Sequence, residues 1–264
     1  PAPATPAPGA EGEVAQDPIA LVDEAWEGRS DAASVRKAIA AWESALATNP
    51  ENGDLYTRLA RAHYLLADGF MRAPEQNEEY LATFTKGVDY AELALTSYSP
   101  EFKKRVQGGD KVEDAVASVG KEGVPALYWY ASNLGKWAKA KGFATTLGNK
   151  DRIKALMDRC LALDPTFFYG GPDRYFGAFY AVAPSFAGGD LNKSEAHFNK
   201  SLELAPNYLA TKVLMAENLA VKRQASFCRR LRTCRRRGRF VLPLSQLHTH
   251  RPVARYPADH TSFV

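Results

Sequence analysis

Several things are scarce in this 264-residue sequence, and each absence narrows what the chain can be. No run approaches the roughly 18 uninterrupted apolar residues of a membrane-spanning helix. Cysteine occurs three times, at Cys160, Cys228 and Cys234, and an odd, scattered set is not the framework of a small disulfide-stapled domain. Strand signals are nearly missing before residue 238. Phosphate-cradling glycine loops, nucleophile elbows, HExxH and paired CxxC motifs are missing too, so no catalytic constellation stands out and no cofactor or metal is expected. Acidic residues are scarce only at one end: residues 222–264 hold 11 of the 34 Lys+Arg and one of the 30 Asp+Glu. That leaves 23 basic against 29 acidic residues in 1–221, a body near −6 and a tail near +10. The formal +4 therefore gives the body no electrostatic case for a nucleic-acid partner.

What is present is a chain that is 45% hydrophobic and 11% aromatic, enough for a real core. The opening PAPATPAPGAEGE has no large apolar residue and reads as a semi-extended tether over residues 1–15; it starts at Pro1, as a fragment or a chain freed of a leader does. Asp17-Pro18 begins a helical pattern that Gly28 stops. From Ser30, Val35, Ala38, Ile39, Trp42, Ala45 and Leu46 fall on one helical face, ending before Pro50. Leu55, Tyr56, Leu59, Ala62, His63 and Leu66 repeat the pattern, making a helical hairpin.

Three helices finish alike. Ala45-Leu46, Cys160-Leu161 and Ser201-Leu202 each precede a proline (Pro50, Pro165, Pro206), and each follows a bulky residue by three positions (Trp42, Met157, Phe198). This is the second half of the tetratricopeptide pattern: the small residue lets helices approach, the large one fills the gap, and proline forces a turn back. First halves are weaker, at Tyr56, Leu59 and Ala60 and at Phe176, Gly177 and Tyr180, and QGGDKVEDAVASVGKEG interrupts the middle. The expected fold is all-α, an array of degenerate tetratricopeptide-like hairpins with insertions over residues 16–224.

Two groups of candidate site residues follow. PTFFYGGPDRYFGAFYAVAPSFAGGDL crowds aromatics and glycines around the single basic residue Arg174. Either these rings plug a gap beside an inserted loop, or Phe168, Tyr169, Arg174 and Tyr175, with Tyr128 from the aromatic helix PALYWYASNLGKWA, line an apolar cleft with a polar end. Separately, Asp54, Thr57, Arg61 and Tyr64 share one helical face, either a groove gripping a partner or a solvated surface. His63 and His197 lie within amphipathic helices and Cys160 fills a small-residue slot, so all three read as packing residues. In the tail, Cys228, Cys234, His248 and His250 have a C-x5-C-x13-H-x-H spacing that fits no common zinc finger. Because Arg, Cys, Pro and His rise together there as the helical period vanishes, residues 225–264 read as an out-of-frame or disordered tail; nucleic-acid binding through its arginines is the competing reading.

The segment from LMDRCLALDP through YGGPDRYFG and GGDLNKSEAHF to ENLAVKRQ resembles the TatT-like T component of tetratricopeptide-associated TRAP transporters, and the likeness covers roughly residues 15–224. The resemblance implies a periplasmic, lipid-anchored and often self-associating protein, and the chain reads as a non-enzymatic interaction protein. It further implies docking with the transporter's extracytoplasmic solute-binding protein and a pore or cleft that passes a hydrophobic small molecule. A generic tetratricopeptide interaction scaffold is the alternative. Family members continue past AVK-x-Q with an acidic helical segment, and this chain departs from that at about Ala225.

Overall fold

A computed structural model describes residues 26–71 and 78–224, and every regular element among them is helical. The expected helix at Asp17-Pro18, the tether and the tail from Ala225 lie outside the described residues. The helices are α1 (Ala32–Leu46), α2 (Gly53–Leu65), α3 (Glu78–Tyr98), α4 (Pro100–Gln107), α5 (Val112–Ala115), α6 (Val124–Lys141), α7 (Phe143–Leu163), α8 (Phe167–Val182), α9 (Leu191–Leu204) and α10 (Leu209–Leu214).

Their starts follow from side chains that satisfy free backbone N–H groups. Asp31 accepts from the backbone of Ala33 and Ser34 at 2.9 and 3.0 Å. Asn52 does the same for Asp54 and Leu55 at the start of α2, and Asp190 for Asn192 and Lys193 at the start of α9. At the other end, α1, α7 and α9 stop at Leu46, Leu163 and Leu204, each shortly before its expected proline. Trp42, Met157 and Phe198, the large residues of the three shared endings, are at most 1% exposed. Burying a side chain of that size contributes roughly 2–3 kcal/mol.

The helices pack chiefly as consecutive neighbours, α2 on α3, α6 on α7 and α8 on α9, with α3 against α6 joining the first part to the second. One core gathers Leu95, Phe102, Leu127, Tyr130, Leu156, Met157 and Phe176; a second holds Val35, Ile39, Trp42, Leu55, Leu59 and Leu66. A polar stitch ties them. Fully buried Asn133 of α6 donates from Nδ2 to the Ala60 carbonyl of α2 at 3.0 Å and to the Trp129 carbonyl at 2.8 Å. The Gly- and charge-rich insertion is better ordered than its composition suggests. Val112, Ala115, Val116 and Val119 are buried, and Arg159 of α7 clamps the Val119 carbonyl with two N–H groups at 2.9 and 2.6 Å.

Candidate functional site

The site is built from α2 on one side and the entry into α8 on the other. At the entry to α8, three consecutive residues take left-handed backbone angles: Phe168 at φ 46°, Tyr169 at 61° and Gly170 at 67°. Glycine adopts this region freely, whereas each non-glycine residue there costs about 1–2 kcal/mol. Arg174, only 4% exposed, offsets the strain. It donates to the carbonyls of Phe168 and Tyr169 at 3.1 and 3.0 Å and to the Tyr128 hydroxyl at 3.0 Å. Its guanidinium also lies 4.7 Å from the ring centre of Tyr208 and 5.7 Å from that of Phe168. Tyr169 stacks on Tyr208 at 4.6 Å, nearly parallel. The turn can come this close to α6 because residue 171 is glycine, since a β-carbon there would meet the Tyr128 ring at 2.7 Å.

The turn aims the Phe168 ring at Trp129, 5.0 Å away, and so closes a cleft of about 410 Å³ lined by Trp26, Trp42, Asp54, Thr57, Arg58, Arg61, Pro125, Trp129, Phe167 and Phe168. Arg61 stands among three of these rings, 5.2 Å from Trp26, 5.5 Å from Phe168 and 5.7 Å from Trp129. Burial lowers its pKa, and the charge of Arg29 adds to that. Arg58 pairs with Asp54 at 2.8 Å.

The two candidate groups, unrelated in the sequence, therefore meet. Asp54, Thr57 and Arg61 of α2 and Phe168 of α8 line one cleft, while Tyr128, Tyr169 and Arg174 form the layer directly behind Phe168. Thr57 is buried and donates to the Gly53 carbonyl at 2.8 Å. Tyr64 lies deeper along α2, packed on Trp129 and Phe84, and burial followed by the Asp68 charge raises its pKa well above the usual tyrosine value. Tyr175 stands apart from the cleft, against Phe176 and Phe179, with its pKa raised by burial and then by Asp158. Sequence reasoning missed Trp26, Trp42, Arg58, Pro125, Trp129 and Phe167 as lining residues. The available signal was the run Leu127-Tyr128-Trp129-Tyr130, four large residues that a single buried stripe cannot absorb.

Of the residues expected to serve packing, His63 and Cys160 are buried. His63 is 4% exposed, has no hydrogen-bond partner on either ring nitrogen among the described residues and stacks on Tyr90 at 5.5 Å; burial, then Lys86, brings its pKa down to about 4. Burial pushes the Cys160 thiol up to about 12. His197 Nδ1 meets the buried Asp173 carboxylate at 2.7 Å, tying α9 to α8. Among the described residues no cluster of three or more His, Cys, Asp or Glu side chains is placed to hold a metal ion, and no helix is long and apolar enough to cross a membrane.

With this geometry in view, comparison with known proteins is informative. The family model of the TRAP transporter T-component, TAtT, matches residues 30–236, more than three quarters of the chain. The chain belongs to that family. The T-component match takes in α2 and the entry to α8 and runs eleven residues beyond Ala225. A similar protein is an uncharacterized protein of Treponema pallidum (strain Nichols), 26% identical over 170 residues. The alignment covers 57% of this chain and 51% of that protein, so the chain spans about half the length of the curated relative it matches. The family is that of a TRAP transporter component.

Proposed function

We propose that this protein is the accessory subunit of a TRAP-type solute uptake system that docks with the extracytoplasmic solute-binding protein and holds a hydrophobic ligand in its aromatic cleft. The observation that carries the ligand half of this reading is the cleft itself. A site of about 410 Å³ walled by Trp26, Trp42, Trp129, Phe167 and Phe168 has the size and lining of a small-molecule pocket, apolar walls with a few placed polar groups. The partner half rests on the T-component match. In this reading the shared endings at Trp42, Met157 and Phe198 are degenerate tetratricopeptide repeats, residues 16–224 form the working domain, and the protein acts in the periplasm, where the Pro/Ala-rich residues 1–15 tether it to a lipid anchor on a membrane. Self-association is part of the same proposal, and Tyr128, Tyr169 and Arg174 serve the ligand from behind the cleft wall.

The docking claim is tested by immobilising the full chain and passing over it the purified solute-binding protein encoded beside it. Saturable retention is the expected result; no retention with or without solute would remove the claim. The ligand claim is tested by organic extraction of the purified protein followed by mass spectrometry, where an apolar molecule in near one-to-one amount is expected from the wild type and is lost when Phe168→Asp places a charge in the cleft wall.

A further inference from the structure

We propose that the cleft selects an organic anion, a molecule with a flat or extended apolar body and one carboxylate, sulfonate or phosphate, and that Arg61 is the residue that reads the charge. This rests on the cleft being a ligand site and specifies what it takes. Arg61 is half-buried, and no carboxylate pairs with it among the described residues. Among the described residues the one acid lining the cleft, Asp54, is engaged by Arg58 at 2.8 Å. The neighbouring cations have their own oxygen partners: Arg29 donates to the Trp26 carbonyl at 3.1 Å, and Arg174 to two carbonyls and a hydroxyl. Arg61, among the described residues, has ring faces for partners, those of Trp26, Trp129 and Phe168 within 5.7 Å.

A guanidinium withdrawn from water without a counter-charge is unfavourable unless something else stabilises it. Aromatic faces supply part of that stabilisation through their quadrupoles, but they offer no oxygen acceptor to its N–H donors. The N–H donors lie along its edge, in a fork that matches the two oxygens of a carboxylate or the oxygens of a sulfonate or phosphate. A second donor is also unused: Trp42, which lines the cleft, is 1% exposed and its indole N–H has no partner among the described residues. Burial and the charge of Arg29 both act against the Arg61 cation, and an arriving anion reverses that. The positive cleft is not a general property of the surface, because residues 1–221 carry 23 basic and 29 acidic residues. The volume of about 410 Å³ suits one small molecule better than a protein segment, which needs a far larger buried area.

The test uses two probes that share the anilinonaphthalene skeleton. 8-Anilinonaphthalene-1-sulfonate carries a sulfonate and N-phenyl-1-naphthylamine carries no charge. Each is titrated by fluorescence against the full chain and against Arg61→Gln and Arg61→Lys, all checked for native helix content by circular dichroism. One site is expected, with the sulfonate probe bound about tenfold more tightly than the neutral one, as a single charge-assisted contact at a partly buried site provides. Arg61→Gln is expected to erase that preference while leaving the neutral probe within about twofold, and Arg61→Lys to keep part of it, because the charge stays and the fork goes. Equal affinity of the two probes for the wild type, or equal weakening of both by Arg61→Gln, overturns the anion proposal and leaves the hydrophobic-ligand reading standing. Binding of neither probe overturns both. Should Arg61→Gln fail to fold, Arg61→Lys and the salt dependence of the wild type decide: the sulfonate preference shrinks as salt rises if Arg61 reads the charge, and a salt-independent preference overturns the proposal.

Discussion

The two walls of the cleft obey different physics. The α1–α2 wall is a capped helical hairpin with no residue at positive φ, and its large side chains, Trp42, Leu55 and Leu59, do ordinary core packing. Across from it the Phe168–Gly170 turn is left-handed for three residues in succession and is held by a single buried arginine. Strain of this kind persists only where the surroundings over-determine it, and it concentrates where a protein handles ligands. The regular wall thus supplies rigidity, and the strained wall supplies the exact placement of one aromatic ring, so the second should be the more sensitive to small chemical changes.

The largest effect expected comes from removing the brace. Arg174→Met orphans the carbonyls of Phe168 and Tyr169, each worth about 1–3 kcal/mol when left unpaired, and should cost about 4 kcal/mol by urea unfolding while lowering probe affinity in the cleft. A brace that merely decorates a turn rigid by itself would leave both unchanged.

Next comes acid sensitivity on the regular wall, from His63 in α2. Its folded pKa of about 4 lies below the ordinary 6.5, so between those values the unfolded chain binds the extra proton. Stability therefore rises with pH across that window, is fully present above about 6.5, and is lost as pH falls toward 4. The loss is about 3 kcal/mol, from roughly 1.4 kcal/mol per pKa unit. His63→Phe, which keeps the stacking on Tyr90, should flatten the stability profile between pH 7 and 4; an unchanged slope would remove His63 from the account.

The smallest and sharpest contrast is between two glycines given the same methyl group. Gly170→Ala forces a β-carbon into left-handed backbone 3.1 Å from Ser201 and should destabilise by about 2 kcal/mol. Gly135→Ala, inside α6 with nothing within 4 Å of the new atom, should stabilise by about 0.5–1 kcal/mol. Equal effects at the two positions would mean that the turn is not strained.

The same contrast explains what could be read from the chain alone. Helical period, capping residues and the Trp42, Met157 and Phe198 endings announced an all-helical fold, because each is a local signal with a local cause. The aromatic and glycine crowding at 165–191 announced that something unusual lies there, and Phe168 and Arg174 were named on that ground. Composition could not say that three residues turn left-handed, nor that Phe168 would face Arg61 across more than a hundred positions of sequence. That meeting depends on Gly171 admitting Tyr128 and on Asn133 fixing α6 against α2, contacts that leave no periodic trace. Trp42 was legible as a gap-filler and silent as a cleft wall, since it serves both the core and the cleft.

The most direct measurement is a crystal structure of the full chain grown with 8-anilinonaphthalene-1-sulfonate. The account predicts the naphthalene body against Trp129 and Phe168 with a sulfonate oxygen within hydrogen-bond distance of the Arg61 guanidinium. A probe seated elsewhere with the cleft empty, or seated in the cleft with its sulfonate turned away from Arg61, would contradict it.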